Sequence, residues 1–102
     1  MLFKIVVHIS GRKFTALIDS GASRCYIAPE TVAACELHLE KERLHLELAD
    51  GSKVQSAQKA PNVTLVVGKT VCKVDFTVTQ LLFDVDLVLG INWLALWNPV
   101  ID

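Results

Sequence analysis

The apolar run Phe14-Thr15-Ala16-Leu17-Ile18 passes directly into Asp19-Ser20-Gly21-Ala22. A short continuous apolar run of this kind reads as a buried strand. The chain must therefore deliver a carboxylate at the end of a core element. Gly21 permits a tight loop in which backbone N–H groups approach that carboxylate. Ser20 places a hydroxyl beside it, and Ala22 leaves room for a passing backbone. Taken alone, the tetrapeptide also suits an Asx-type turn after a strand.

The rest of the pattern is mostly β. Leu2 to Ile9 is a β-branched run closed by a Ser10-Gly11-Arg12-Lys13 turn, and Phe14 to Ile18 returns, so the two form a hairpin with Asp19 at its outlet. Cys25-Tyr26-Ile27 is a short extended piece. Pro29 at a helix start and the early Glu30 predict a short helix over Pro29 to Cys35. Leu44, Leu46 and Leu48 alternate with His45, Glu47 and Ala49, the signature of a half-buried strand. Asp50-Gly51 is a strong hairpin signal, with Ser52 to Ala57 as the polar returning strand. Val63 to Val67, a Gly68-Lys69 turn and Val71 to Val78 form a further hairpin. Leu87-Val88-Leu89-Gly90 is a fully apolar strand ending in glycine. Ile91 to Trp97 reads as a short apolar helix stopped by Asn98-Pro99.

The chain has 102 residues, the size of a single domain, and no repeats or linkers. Its apolar fraction of 52% is high for a small monomer and points to a large shared interface. No run approaches the ~18 apolar residues of a spanning helix, so no membrane partner is expected. A net charge of −1 with interspersed signs gives no support to nucleic-acid binding. Cys25, Cys35 and Cys72 are odd in number, widely spaced and without a CxxC, which argues against a disulfide framework or structural zinc and for a reducing, cytoplasmic setting. His8, His38 and His45 form no metal-ligand spacing. The first residues lack a leader layout. Both ends read as cut from a longer polypeptide.

Two close carboxylates can hydrolyse an amide without metal or covalent nucleophile. They cannot both ionise at short range, so one stays protonated. The ionised one takes a proton from water while the other hydrogen-bonds the carbonyl oxygen. The pair titrates as a unit. Only one Asp here has the required setting, so this chemistry demands a symmetric homodimer in which Asp19 meets its own copy.

Two motifs seventy residues apart, Ala16-Leu17-Ile18-Asp19-Ser20-Gly21-Ala22 and Asp86-Leu87-Val88-Leu89-Gly90-Ile91-Asn92-Trp93-Leu94, together resemble those of retropepsins. These are the homodimeric aspartic proteases of retroviruses and long-terminal-repeat retrotransposons. The ending Trp97-Asn98-Pro99-Val100-Ile101-Asp102 is similar to the protease end of Ty3/Gypsy-type polyproteins. The resemblance spans essentially the whole chain. It implies an all-β acid-protease fold: one closed barrel-like lobe with a flap hairpin and a short C-terminal helix, half of a C2 dimer. It implies that Asp19 is catalytic, that Ser20 interlocks the two active-site loops, and that Gly21 contacts substrate. Val88, Leu89 and Gly90 would pack beneath the loop. Asp50, Gly51 and Ser52 would form the tip of a flap over an extended peptide, most simply the chain's own polyprotein, within virus-like particles. No metal or organic cofactor is implied.

Three positions depart from the retroviral pattern. Ser20 stands where Thr is usual. The usual acidic pair after Ala22 is replaced by Ser23-Arg24, and the usual basic residue after Gly90 by Ile91, so the familiar acid–base brace of that corner is absent. The flap has one glycine, Gly51. Trp93 and Trp97 read as core or interface residues, Asp84 and Asp86 as solvent-facing flanks of a strand, and Cys25 as simple packing. Two other readings stand beside the enzyme: a domesticated cellular domain of this fold, and a non-catalytic dimerisation or peptide-binding module.

Overall fold

In the computed structural model the described residues are 2–45, 54–81, 84–90 and 93, with backbone alone for 43–45 and 54–56. Strands β1 (Leu2–Ile9) and β2 (Arg12–Asp19) form an antiparallel hairpin whose register runs from Ile9 opposite Arg12 to Leu2 opposite Asp19. The turn is tighter than the sequence suggests. Ser10 and Gly11 alone make it, with φ of 53° and 77°, the two-residue geometry that matches strand twist. Arg12 and Lys13 already belong to β2.

The chain continues through β3 (Tyr26–Ile27), α1 (Pro29–Cys35), β4 (Glu40–His45), β5 (Val54–Val67), β6 (Thr70–Val78) and β7 (Leu87–Leu89). Helix α1 occupies the predicted range. Pro29 supplies a pre-set φ in its first turn, and Glu36 closes it in the left-handed region while Leu37 N–H donates to Val32 O. The sheet order is β1-β2-β7-β3-β6-β5-β4, and His8 of β1 also pairs with Val66 of β5. That pairing joins the first strand to the sixth, closing a six-strand barrel with β4 attached outside the ring.

A second expectation changes. The polar strand ending at Ala57 and the apolar strand beginning at Val63 are a single element, β5. The register slips between Ala60 and Val63, a bulge holding Pro61 and Asn62. Pro61 has no N–H to lose. Asn62 takes φ 55°, and its N–H donates to Asp75 Oδ1 at 2.7 Å across the hairpin. A side chain from β6 therefore satisfies the group that would otherwise end the strand.

The barrel interior holds Val7, Ile9, Ile18, Ile27, Leu65, Phe76, Leu87 and Leu89, with Trp93 at its edge. A second, smaller apolar cluster of Leu17, Val85 and Val88 lies on the other face of β2 and β7, with Ala22, Tyr26 and Leu81 against it. Leu17 is in register with Val88, and Val88 with Tyr26, so three neighbouring strands contribute to one outer layer. Burial on both faces explains why these strands read as unbroken apolar runs. Trp93 sits in the core as expected. The tip Asp50-Gly51-Ser52 and the rest of the Ile91 to Trp97 helix lie outside the described residues.

Candidate active site

Asp19 is the last residue of β2 and half-buried. Alternation along the strand puts it on the side of Leu17, facing away from the barrel interior toward the smaller apolar cluster. The loop that follows is drawn back on this residue. Gly21 N–H donates to Asp19 Oδ1 at 2.9 Å, and Ala22 N–H donates to Asp19 O at 3.1 Å. A Cβ on Gly21 would lie 3.2 Å from Asp19 Oδ1, so a side chain there would press on the carboxylate. Ser20 is exposed at the tip, and Ala22 packs on the outer cluster.

The loop rests on β7. Leu17 and Ile18 run parallel beside Val88 and Leu89. Gly90 meets the loop backbone so closely that a Cβ would drive into Arg24 O and come within 2.7 Å of Ala22 O. Val88 faces the outer cluster while Leu89 faces the barrel core, so the strand beneath the loop is anchored in both apolar layers. Cys25 follows directly and is buried. Burial pushes its thiol pKa up, opposed by backbone hydrogen bonds at Gly90 and Trp93, so the thiol is neutral packing rather than a nucleophile.

Two contributors to this corner escape a sequence reading. The first is Asp86, expected in solvent with Asp84. Asp84 is exposed, but Asp86 is part-buried and ties three elements together. Its Oδ2 accepts from Thr15 N–H at 2.8 Å and its own N–H donates to Thr15 O at 2.9 Å. Its carbonyl accepts from Ala28 N–H at 3.1 Å and from the Thr31 hydroxyl at 3.2 Å. The acid before β7 thus pins β2 and the start of α1 to one point. The second is an ion pair between Arg24 Nη1 and Glu42 Oε1 at 2.8 Å, joining the loop to β4. It ties this side of the loop to the outer strand. Nothing in the spacing of Arg24 and Glu42, eighteen residues apart, signals that they meet.

Among the described residues no group of three or more His, Cys, Asp or Glu gathers as a metal site would require. The arrangement offers one carboxylate at the rim of an apolar layer, with the Gly21 N–H bound to it.

A closed six-strand barrel with an Asp-Ser-Gly loop laid over an apolar strand and glycine defines a retropepsin-like protease domain. Residues 15–102 match the family model described as the PEG10/RTL1 protease domain. The chain belongs to that family. Its fold is similar to the crystal structure of the retroviral protease-like domain of Ddi1 from Leishmania major, with a TM-score of 0.70 at 17% identity, over 100% of this chain and 80% of that one. No curated protein matches the sequence.

Proposed function

We propose that the chain is an aspartic endopeptidase that works as a C2 homodimer, each subunit contributing Asp19. The observation that carries this reading is the Asp19 carboxylate itself, held by Gly21 N–H at the rim of the Leu17, Val88 and Tyr26 layer. In the dimer the two carboxylates share a proton. One deprotonates the attacking water and the other polarises the scissile carbonyl, so no metal or cofactor is needed. Low polarity on the Asp19 side suits apolar residues flanking the cut. Exposed apolar surface lies next to the carboxylate: Leu2, in register with Asp19, is 59% exposed and Phe3 46%. Burying these side chains against a second copy would bring two Asp19 loops together. The segment around Asp50-Gly51-Ser52 would close over the bound peptide as a flap. Cys25, Cys35 and Cys72, which form no disulfide, suit a reducing compartment, with polyprotein processing in virus-like particles as the setting.

A second reading follows from the family matched. PEG10/RTL1-type domains give the alternative of a domesticated domain that keeps the fold for binding or dimerisation. The test is cleavage of an unstructured polypeptide across acid to neutral pH at several protein concentrations. An active dimer gives a rate that rises more steeply than protein concentration. Asp19→Asn lowers it by about a thousandfold or more while leaving dimerisation intact. Equal rates in the two proteins would exclude Asp19 as the catalyst, and no cleavage by either would favour the non-catalytic reading.

A further inference from the structure

Val6 and Val71 are 51% and 63% exposed, and unlike Leu2 and Phe3 they do not adjoin Asp19. The seam of the barrel brings them together. His8 is in register with Val66, and Val66 with Val71, and directly opposed residues share a face of the sheet. Val6 lies two positions from His8 on β1, so it points to the same outer side. The result is an apolar strip of Val6, Val66 and Val71 laid across β1, β5 and β6 on the outside of the ring. Apolar side chains left in water as a group, and rimmed by polar ones, mark a contact surface.

The charges around the strip have one sign. Residues 2–18 and 57–74 contain Lys4, Arg12, Lys13, Lys59, Lys69 and Lys73 but no Asp or Glu, in a chain whose net charge is −1. These stretches are far apart in sequence, and closure of the ring at His8 and Val66 sets them side by side. Lys13 is opposite His8, and Lys73 opposite Thr64. Lys4 follows Val6 along the outer side of β1, and Lys69 stands in the turn between β5 and β6. All four lysines are exposed, and none forms an ion pair among the described residues. The acids of the surrounding elements stand at the borders. Asp19 ends β2, Asp75 lies beyond Lys73 with its carboxylate on Asn62 N–H, and Asp86 is held part-buried against Thr15 N–H.

We infer that this outer face is a docking surface for an acidic polypeptide segment with apolar side chains, supplied by a partner protein. Carboxylates of the segment face Lys4, Lys13, Lys69 and Lys73, and its apolar residues cover Val6, Val66 and Val71. That is the apolar centre and polar rim of a protein interface, with charge complementarity choosing the partner. A nucleic-acid strand would need aromatic side chains to stack its bases, and the outward positions of these strands hold no Phe, Tyr or Trp. A membrane surface would need Trp, Phe or Leu to insert, where this strip offers valines on a sheet. Val6 is four positions along β1 from Leu2, the residue opposite Asp19, or about 13 Å on an extended strand. Docking here is thus independent of catalysis at Asp19.

The test is a titration of the isotope-labelled chain followed by amide NMR shifts. The probes are a twelve-residue glutamate peptide with three spaced valines, the same peptide with serine for valine, the same peptide with lysine for glutamate, and a short oligothymidine. Sedimentation with phosphatidylserine vesicles adds the membrane. The Glu–Val peptide should shift the amides of Val6, His8, Val66 and Val71. It should bind about tenfold more tightly than the Glu–Ser peptide, and the lysine peptide should not bind. Lys13→Glu combined with Lys73→Glu should weaken the Glu–Val peptide about tenfold, and so should Val6→Thr combined with Val71→Thr. These four positions are exposed, and unchanged melting temperatures show that the variants fold. Lys13→Gln combined with Lys73→Gln, a milder change, should weaken binding in the same direction. No binding of the Glu–Val peptide, equal binding of the Glu–Ser peptide, shifts centred elsewhere, or indifference to either set of substitutions would overturn the inference. So would tighter binding of the oligonucleotide or the vesicles.

Discussion

At the Ser10-Gly11 and Gly68-Lys69 tips, glycine stands in open space. Gly11 and Gly68 have φ of 77° and 61°, and an added Cβ would meet nothing within 4 Å. At the corner of the candidate active site the demand is of another kind. Gly90 lies outside the positive-φ region, yet the carbonyls of Ala22 and Arg24 occupy the space a side chain would need. The hairpin tips need glycine for local backbone reasons and the corner needs it because another segment packs there. Hairpin geometry is set by a few adjacent residues. The Asp19 loop takes its shape from β7, which is seventy residues away.

That contrast can be broken most directly at Gly90. Gly90→Ala should destabilise the chain by about 3 kcal/mol or more, because backbone rather than a flexible side chain must move. Chemical denaturation measures it, and a near-neutral result would mean the loop does not rest on β7. Next in size is Asp86→Ala, which leaves the part-buried Thr15 N–H without its carboxylate acceptor. A loss of about 2 kcal/mol is expected. Asp86→Asn, which keeps an acceptor oxygen, should recover much of it. Gly11→Ala should cost only about 1 kcal/mol, the penalty of a left-handed backbone without a clash. If its cost equalled that of Gly90→Ala, the distinction between the two kinds of glycine would fail.

The smallest effect is a pH dependence beneath the corner. Burial raises the Cys25 pKa above the ordinary 9.0, and burial also raises that of Cys35. Above pH 9.0 the unfolded chain ionises these thiols while the folded chain keeps them neutral, so the unfolded state binds fewer protons. The stabilisation is complete below that pH and is lost as pH rises through the folded values. Urea midpoints at neutral pH and at pH 10 should show the fall, and Cys25→Ala should reduce its slope. An unchanged slope would place Cys25 closer to water than its burial indicates.

The legible parts of the fold were those set by neighbours in sequence. The β1–β2 hairpin, the range of α1 and the Gly68-Lys69 turn each follow from residues within a few positions of one another. Pro61-Asn62 misled for the same reason. Locally the pair interrupts a strand, and only the Asp75 carboxylate on the next strand shows that the strand continues through a bulge. The candidate site divides in the same way. Asp19, Ser20 and Gly21 stand out as a contiguous motif, and Val88-Leu89-Gly90 as an apolar strand with a glycine stop. Asp86 looked like a solvent flank because its partners, Thr15, Ala28 and Thr31, are distant in sequence.

By itself, then, the sequence determined the β character of the chain, the position of its carboxylate and the family it resembles. Periodicity, turn chemistry and short motifs are written in adjacent residues. The tertiary structure alone decided how the ring closes through His8 and Val66, which acid pins β2 to α1, and which arginine braces the loop. These are contacts between side chains and backbone groups far apart along the chain, and their geometry exists only once the barrel has brought the strands together.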